Sequence, residues 1–251
     1  MIKEYQALIE GFKNAGIKAG MTLVVHSSFK SLHLQKLGPQ DVIEALMEVI
    51  GEKGNILMPT LTYDVVNENN PYFDLNNTPS SVGVISEVFR QQKGVIRSLN
   101  PIHSVAVWGK DKIELTNNHY LDEITIGLNS PYYKMLKYNA KILMLGSTLK
   151  PNTFMHLVEN LNELPYRKIK REFIVEIKNN DGVKINNVVK LPNMSNFYQR
   201  YDKIINILSE KDLQKVSING EESFLIEANE LLKKASEILK KEPYYFVDKI
   251  K

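Results

Sequence analysis

The sequence predicts an α/β fold: a central, largely parallel or mixed sheet flanked by helices, with an antiparallel, hairpin-containing C-terminal portion. Three observations predict it. Short apolar runs such as 21–25, 55–58 and 141–145 are nearly unbroken, as strands buried on both faces require. Helix-length amphipathic segments separate them. After Pro165 the pattern changes to strict alternation around Asn-Asp-Gly and Asn-Gly turns, the mark of antiparallel hairpins.

Residues 3–15 read as an amphipathic helix carrying Tyr5, Leu8, Ile9 and Phe12 on one face and ending before Gly16. The run 21–25 is a buried strand that leads to His26-Ser27-Ser28. Pro39 starts a helix over 40–50, with Val42, Ala45, Leu46 and Val49 inward and Gly51 as its stop. A second strand, 55–58, ends at Pro59-Thr60. The segment 64–78 is too long for a plain connector and reads as a functional or covering loop. Within 65–78 it holds five asparagines, and its acids are Glu68 and Asp74.

Ser80 and Ser81 are expected to cap a helix reaching Gln92. A strand over 104–108, a short helix over 131–138 and a strand over 141–145 follow. Strand 171–178 turns at Asn180-Asp181-Gly182 and returns through 183–191. Helices over 195–208 and 225–239 are expected around a second hairpin at Asn219-Gly220. Residues 1–251 read as one domain, with an α/β core at 1–165 and a C-terminal subdomain at 166–251.

Composition narrows the function. Lys+Arg at 32 barely exceeds Asp+Glu at 29, too small an imbalance to argue for a nucleic-acid partner. The absence of cysteine excludes disulfides, thiolate metal sites and a cysteine nucleophile. No apolar run reaches the roughly 20 residues of a membrane span, and no signal-peptide core is seen near Met1, so a cytoplasmic location is expected. The five histidines lack zinc-site spacing, no metal is expected, and His33 and His119 read as surface residues. Neither a nucleophile elbow nor a glycine-rich phosphate or dinucleotide loop occurs.

Four clusters remain. After strand 141–145 the chain breaks at Gly146 and enters a helix near Thr153, where His156 and Glu159 stand at i, i+3. Histidine is the residue type suited to taking a proton near neutrality, and a carboxylate one turn away can hold its ring. The same spacing also suits an ordinary helix start with Thr153 as N-cap. His26-Ser27-Ser28-Phe29-Lys30-Ser31 leaves a buried strand with small hydroxyls and a cation, which suits an anion as well as a plain turn. Arg97-Ser98, with His103-Ser104, offers a guanidinium and an imidazole. Thr60, Tyr63 and Asp64 lie at a third strand end, where a cationic substrate could meet a carboxylate.

In order along the chain, these pieces resemble the aminoglycoside 3-N-acetyltransferase family, whose fold differs from that of the GNAT acetyltransferases. The resemblance runs through the strand into His26-Ser27-Ser28, Gly38-Pro39-Gln40-Asp41-Val42, and Gly54 to Thr60. It continues through Arg97 to Ser104, Asn129-Ser130-Pro131, Leu145-Gly146, Thr153 to Glu159 and Leu164-Pro165-Tyr166-Arg167, nearly the whole chain. It implies acetyl-CoA as co-substrate and a small amine, an aminoglycoside or amino sugar, as acceptor. It implies His156 as base with Glu159 orienting it, and a coenzyme cleft formed by 26–31 and the segment from Arg97 to Ser104. Thr60, Tyr63 and Asp64 are then the expected acceptor contacts.

Overall fold

The computed structural model describes residues 1–250, without the side chains of Ile169 and Lys170. Its first half contains α1 (Ile2–Asn14), β1 (Thr22–Ser27), α2 (Pro39–Ile50), β2 (Asn55–Pro59), β3 (Tyr72–Asp74), α3 (Val84–Arg90), β4 (Ile96–Arg97), β5 (Val105–Gly109) and α4 (Lys112–Thr116). There follow α5 (Pro131–Lys134), β6 (Lys141–Leu145), α6 (Phe154–Asn160), β7 (Ile169–Lys178), β8 (Lys184–Pro192), β9 (Phe197–Gln199), β10 (Leu213–Ile218), β11 (Glu221–Glu227), α7 (Ala228–Lys241) and β12 (Val247–Lys249).

A seven-stranded sheet in the order β10-β11-β6-β1-β2-β5-β4 organises the chain. The pairs β1–β2 and β1–β6 are parallel, and the outer pairs are antiparallel. The sheet is therefore mixed, with a parallel centre. The central strands β1, β2 and β6 lack a polar face because both their faces are covered. Leu23 and Val25 of β1, with Leu143 and Leu145 of β6, enter a core shared with α1, α2 and α3. Val24, Ile142 and Met144 point the opposite way, into a core shared with α5, α6 and α7. The two-residue period of a strand thus converts one unbroken apolar run into two cores.

A three-stranded sheet, β3-β7-β8, carries a third core of Phe73, Val175, Ile177 and Val189. The asparagine-rich segment, expected as a functional or covering loop, is in part structural: its middle pairs in parallel with β7. Asp74 accepts from the backbone of Asn76 and Asn77 and from Lys178. Burial acts to raise its pKa, but those donors outweigh burial and hold it down at about 2.

Several local expectations change. Gly83 precedes α3 with a positive φ of 72°, while the Ser80 N–H donates to Glu87 Oε2, and the helix stops at Arg90. Phe197–Gln199 is a strand because it pairs with Val247–Lys249, and only Tyr201–Asn206 forms a helical turn, of the 3-10 type. The expected helix over 225–239 begins at Ala228, since Leu225 to Glu227 pair with β6. Asn219 and Gly220, with φ of 53° and 81°, form the tight turn that joins β10 to β11. Through these strands the residues after 166 complete the central sheet rather than standing beside it. Among the described residues no helix is long and apolar enough to cross a membrane.

Candidate active site

The connection from β6 to α6 builds the centre of the site. Gly146 has a φ of 57°, and a Cβ there would lie 3.0 Å from Leu32 Cδ2 and 3.3 Å from the Ser28 carbonyl. Only glycine permits both that backbone and that approach. The Gly146 N–H donates to Ser223 Oγ at 2.9 Å, tying the turn to β11. Thr153 makes no capping bond with its side chain; instead the Phe154 N–H donates to Asn152 Oδ1 at 3.2 Å. This fixes the Asn152 amide, whose Nδ2 is buried without a partner.

Phe154, Leu157 and Val158 sink into the core and place the two remaining functional side chains of α6. His156 is partly exposed, its side chain at 23%, and Glu159 is fully buried. Glu159 is held by three donors. Tyr166 OH donates to Oε1 at 2.9 Å, while Oε2 accepts from Arg167 Nη1 and from Tyr201 OH, each at 2.7 Å. His156 Nδ1 lies 3.4 Å from the same Oε2 but only 2.9 Å from Tyr201 Oη. Burial would raise the Glu159 pKa. Bonding to His156, the charge of Arg167 and the Tyr201 bond prevail and hold it below the usual carboxylate range. Burial and the neighbouring Glu159 push the Tyr201 hydroxyl well above its ordinary value, so it keeps its proton.

These contacts determine the imidazole tautomer. The single Tyr201 proton goes to the carboxylate at 2.7 Å, so the phenol oxygen accepts from His156 Nδ1–H. Nε2 is then left with its lone pair, the form a general base needs.

Two cavities meet at His156. One of about 370 Å³ is lined by His26, Ser27, Leu61, Tyr63, Gly83, Ser86, Ser147, Lys150, Asn152 and Tyr201, among others. The second, of about 200 Å³, is lined by Ile102, His103, Thr125, Arg167, Arg171 and Met194 with their neighbours. Tyr63, His156 and Gln199 belong to both. The His103 ring stands edge-on to His156 with centroids 5.7 Å apart. Burial, then the nearby His156, pulls His26 down to about 4 and holds His103 well below its ordinary value. Both are neutral at working pH, and His26 Nε2 and His103 Nδ1 are buried without partners.

The fold brings together His156, Glu159, His26, Ser27, His103 and Tyr63. It commits other expected residues elsewhere. Arg97 is buried, donating to Thr60 O at 2.9 Å, Thr78 O at 2.6 Å and Ser104 Oγ at 2.9 Å, and lies over the Phe73 ring. Burial lowers it to about 9, so it remains charged, but its guanidinium is engaged by carbonyls and hydroxyls that hold strands together, and the cavity it borders is a separate one beside Arg90, not one of the two at His156. Thr60 and Ser104 bond to each other at 3.0 Å in that network. Ser98 bonds His119 Nδ1 at 2.8 Å; His119 is fully buried, not a surface residue, its ring held between Ser98 and the Thr125 carbonyl. Ser28 and Ser31 bond each other at 2.8 Å, Phe29 packs against the α1–α2 core, and Lys30 and Asp64 are exposed outside both cavities. Among the described residues no cluster of potential metal ligands occurs.

Sequence reasoning missed Tyr201, Asn152, Lys150 and Arg171. Tyr166 and Arg167 lay within a noted motif, Leu164-Pro165-Tyr166-Arg167, whose role becomes visible only in the bonds to Glu159.

The sequence profile described as aminoglycoside 3-N-acetyltransferase matches residues 24–240. The SPbeta prophage-derived aminoglycoside N(3')-acetyltransferase-like protein YokD of Bacillus subtilis (strain 168) is 34% identical over 184 residues, 65% of this chain and 66% of its own length. Aminoglycoside N(3)-acetyltransferase III of Pseudomonas aeruginosa is 30% identical over 181 residues, with the same two shares. The chain thus aligns with just under two thirds of these relatives' length. Over the fold the likeness is wider: the YokD crystal structure superposes with a TM-score of 0.83 at 26% identity, covering 96% of this chain and 94% of YokD. AAC-IIIb in a binary complex with CoASH also reaches 0.83, at 23% identity, covering 95% of this chain and 96% of its own. The chain belongs to the aminoglycoside 3-N-acetyltransferase family.

Proposed function

We propose that this chain is an acetyl-CoA-dependent N-acetyltransferase that moves the acetyl group directly onto an amine of an aminoglycoside or another amino sugar, with His156 as general base. The observation that carries the reading is the chain from His156 Nδ1 through Tyr201 Oη to Glu159, which frees Nε2 where two cavities meet. Family membership supports the reaction class, and the fold neighbour with CoASH supports the co-substrate.

The larger cavity suits a pantetheine arm, whose amides alternate with methylenes. Pro59, Leu61, Val82 and Pro151 supply apolar wall, Ser27, Ser86 and Ser147 supply hydroxyls, and Lys150 supplies a cation for phosphate. The acceptor amine, after losing its ammonium proton to solvent, attacks the thioester carbonyl. As the C–N bond forms, His156 Nε2 takes a proton from the nitrogen. The C–S bond then breaks, and the imidazolium returns that proton to the departing sulfur. Glu159 stabilises the transient imidazolium through Tyr201, and Arg167 keeps the carboxylate ionised. Asn152 Nδ2, an N–H donor buried without a partner, and His26 Nε2, in the tautomer that carries its proton there, are the groups this reading assigns to the oxyanion. No acyl-enzyme is needed.

Release of free thiol from acetyl-CoA in the presence of amino sugars tests the reading. Removing the base by His156→Ala costs about 10²–10⁴ in turnover, while the rise in thermal midpoint on adding CoA persists. Unchanged turnover in that variant removes His156 from the mechanism.

A further inference from the structure

The charged residues lining the smaller cavity are Arg167 and Arg171, and Lys150 is the charged residue lining the larger one. Such a lining repels the polycation that an aminoglycoside presents. Glu159, the carboxylate beside His156, is already engaged by Arg167 and Tyr201. Asp64, next to the lining Tyr63, is exposed and lies outside both cavities. Arg167 is neutralised by Glu159, but Arg171 is not comparably held. Its partner is Glu68 at 3.7 Å, with the two side chains 56% and 47% exposed. An exposed pair at that distance is weak and is readily exchanged for a ligand anion. The rest of the wall is neutral: Thr125, Gln199 and Tyr63 suit hydroxyls, and Ile102 and Met194 suit the faces of a ring.

Resting on the acetyltransferase reading above, we infer that the acceptor is an amino sugar carrying a negatively charged group, a phosphate or a carboxylate, that Arg171 engages. A guanidinium presents paired donors to either anion, and both would replace Glu68. The reacting amine then lies toward His156 and the anion toward β7, on which Arg171 sits.

The test compares thiol release from acetyl-CoA with four probes: glucosamine, glucosamine 6-phosphate, glucosamine 1-phosphate and sisomicin. At least one phosphorylated sugar is expected to exceed glucosamine in kcat/KM by about tenfold, the worth of one charge-assisted contact, and sisomicin is expected to rank last. Arg171→Ala brings the phosphorylated-to-plain ratio toward one, and Arg171→Glu moves sisomicin ahead of the phosphorylated sugars. Glucosamine or sisomicin outranking both phosphorylated sugars in the wild type overturns the inference and leaves the acetyltransferase reading intact. A rise in the KM for acetyl-CoA instead of the acceptor KM in the Arg171 variants also overturns it, by assigning the arginine to a coenzyme phosphate. Thiol release with none of the probes defeats the parent reading and the inference with it.

Discussion

Replacing Tyr201 with phenylalanine removes one oxygen and separates the two halves of the site. The hydroxyl now lies 2.9 Å from His156 Nδ1 and 2.7 Å from Glu159 Oε2. Without it the imidazole retains only the 3.4 Å approach to Oε2, longer than an ordinary N–H···O bond of about 2.7–3.2 Å. The ring is then free to exchange tautomers and to turn. The bond to the carboxylate is charge-assisted and worth roughly 1.5–3 kcal/mol. If the transition state, in which the imidazolium forms, loses that amount, kcat falls about 10- to 100-fold. Glu159 retains Tyr166 and Arg167, so the fold survives. A stability loss of about 1–2 kcal/mol lowers the Tm by roughly 2–8 °C in a chain of this size. The assay is thiol release at saturating acetyl-CoA and amine, with CoA titrated separately by thermal shift. A kcat within about twofold of wild type, a difference of less than ~0.5 kcal/mol, refutes the role given to Tyr201.

Three further outcomes follow from the same geometry. Asn152→Asp keeps the oxygen that accepts from Phe154 but removes the unpartnered Nδ2, and kcat is expected to fall about 10²-fold or more; a kcat equal to wild type excludes Asn152 as an oxyanion donor. Glu159→Leu leaves Arg167 buried against an apolar side chain, which is expected to cost about 3–5 kcal/mol in urea unfolding, whereas a loss below ~1 kcal/mol contradicts the buried pair. Acid sensitivity should begin above the carboxylate range. Burial lowers His26 to about 4 and His119 to about 3, so the unfolded chain takes up protons first; stability is fully present above the ordinary histidine value and declines as pH falls through about 6.5 toward 4 and 3. His119→Gln removes one such proton and should flatten that slope by about 1.4 kcal/mol per pH unit; an unchanged slope contradicts the burial of a neutral His119.

Much of the scaffold was legible because its signals are local. The apolar runs ending at His26, at Pro59 and at Leu145 could be read as buried strands from composition alone, and the Asn-Gly turn at 219–220 announced its hairpin. The pairing of β11 with β6 was not legible, because nothing in residues 221–227 specifies a partner some 80 residues upstream. The site divides in the same way. His156 and Glu159 share a helix, so spacing revealed them. Tyr201 reaches both from a 3-10 turn more than 40 residues later, and only the fold brings it there. Arg97 shows the opposite failure: its neighbours in sequence looked like an anion site, yet the guanidinium is absorbed by carbonyls of Thr60, Leu75 and Thr78, which sequence distance concealed.

The central claim is that Nε2 of His156, held in its basic tautomer by Tyr201 and Glu159, takes the amine proton during acetyl transfer. Thiol release from acetyl-CoA with an amino-sugar acceptor, measured across pH for the wild type, Tyr201→Phe and His156→Ala, tests it most directly. At every pH where the wild type turns over, kcat is expected to fall about 10²–10⁴-fold in His156→Ala, with Tyr201→Phe between the two. Full turnover in His156→Ala, or a Tyr201→Phe kcat equal to the wild type, contradicts it.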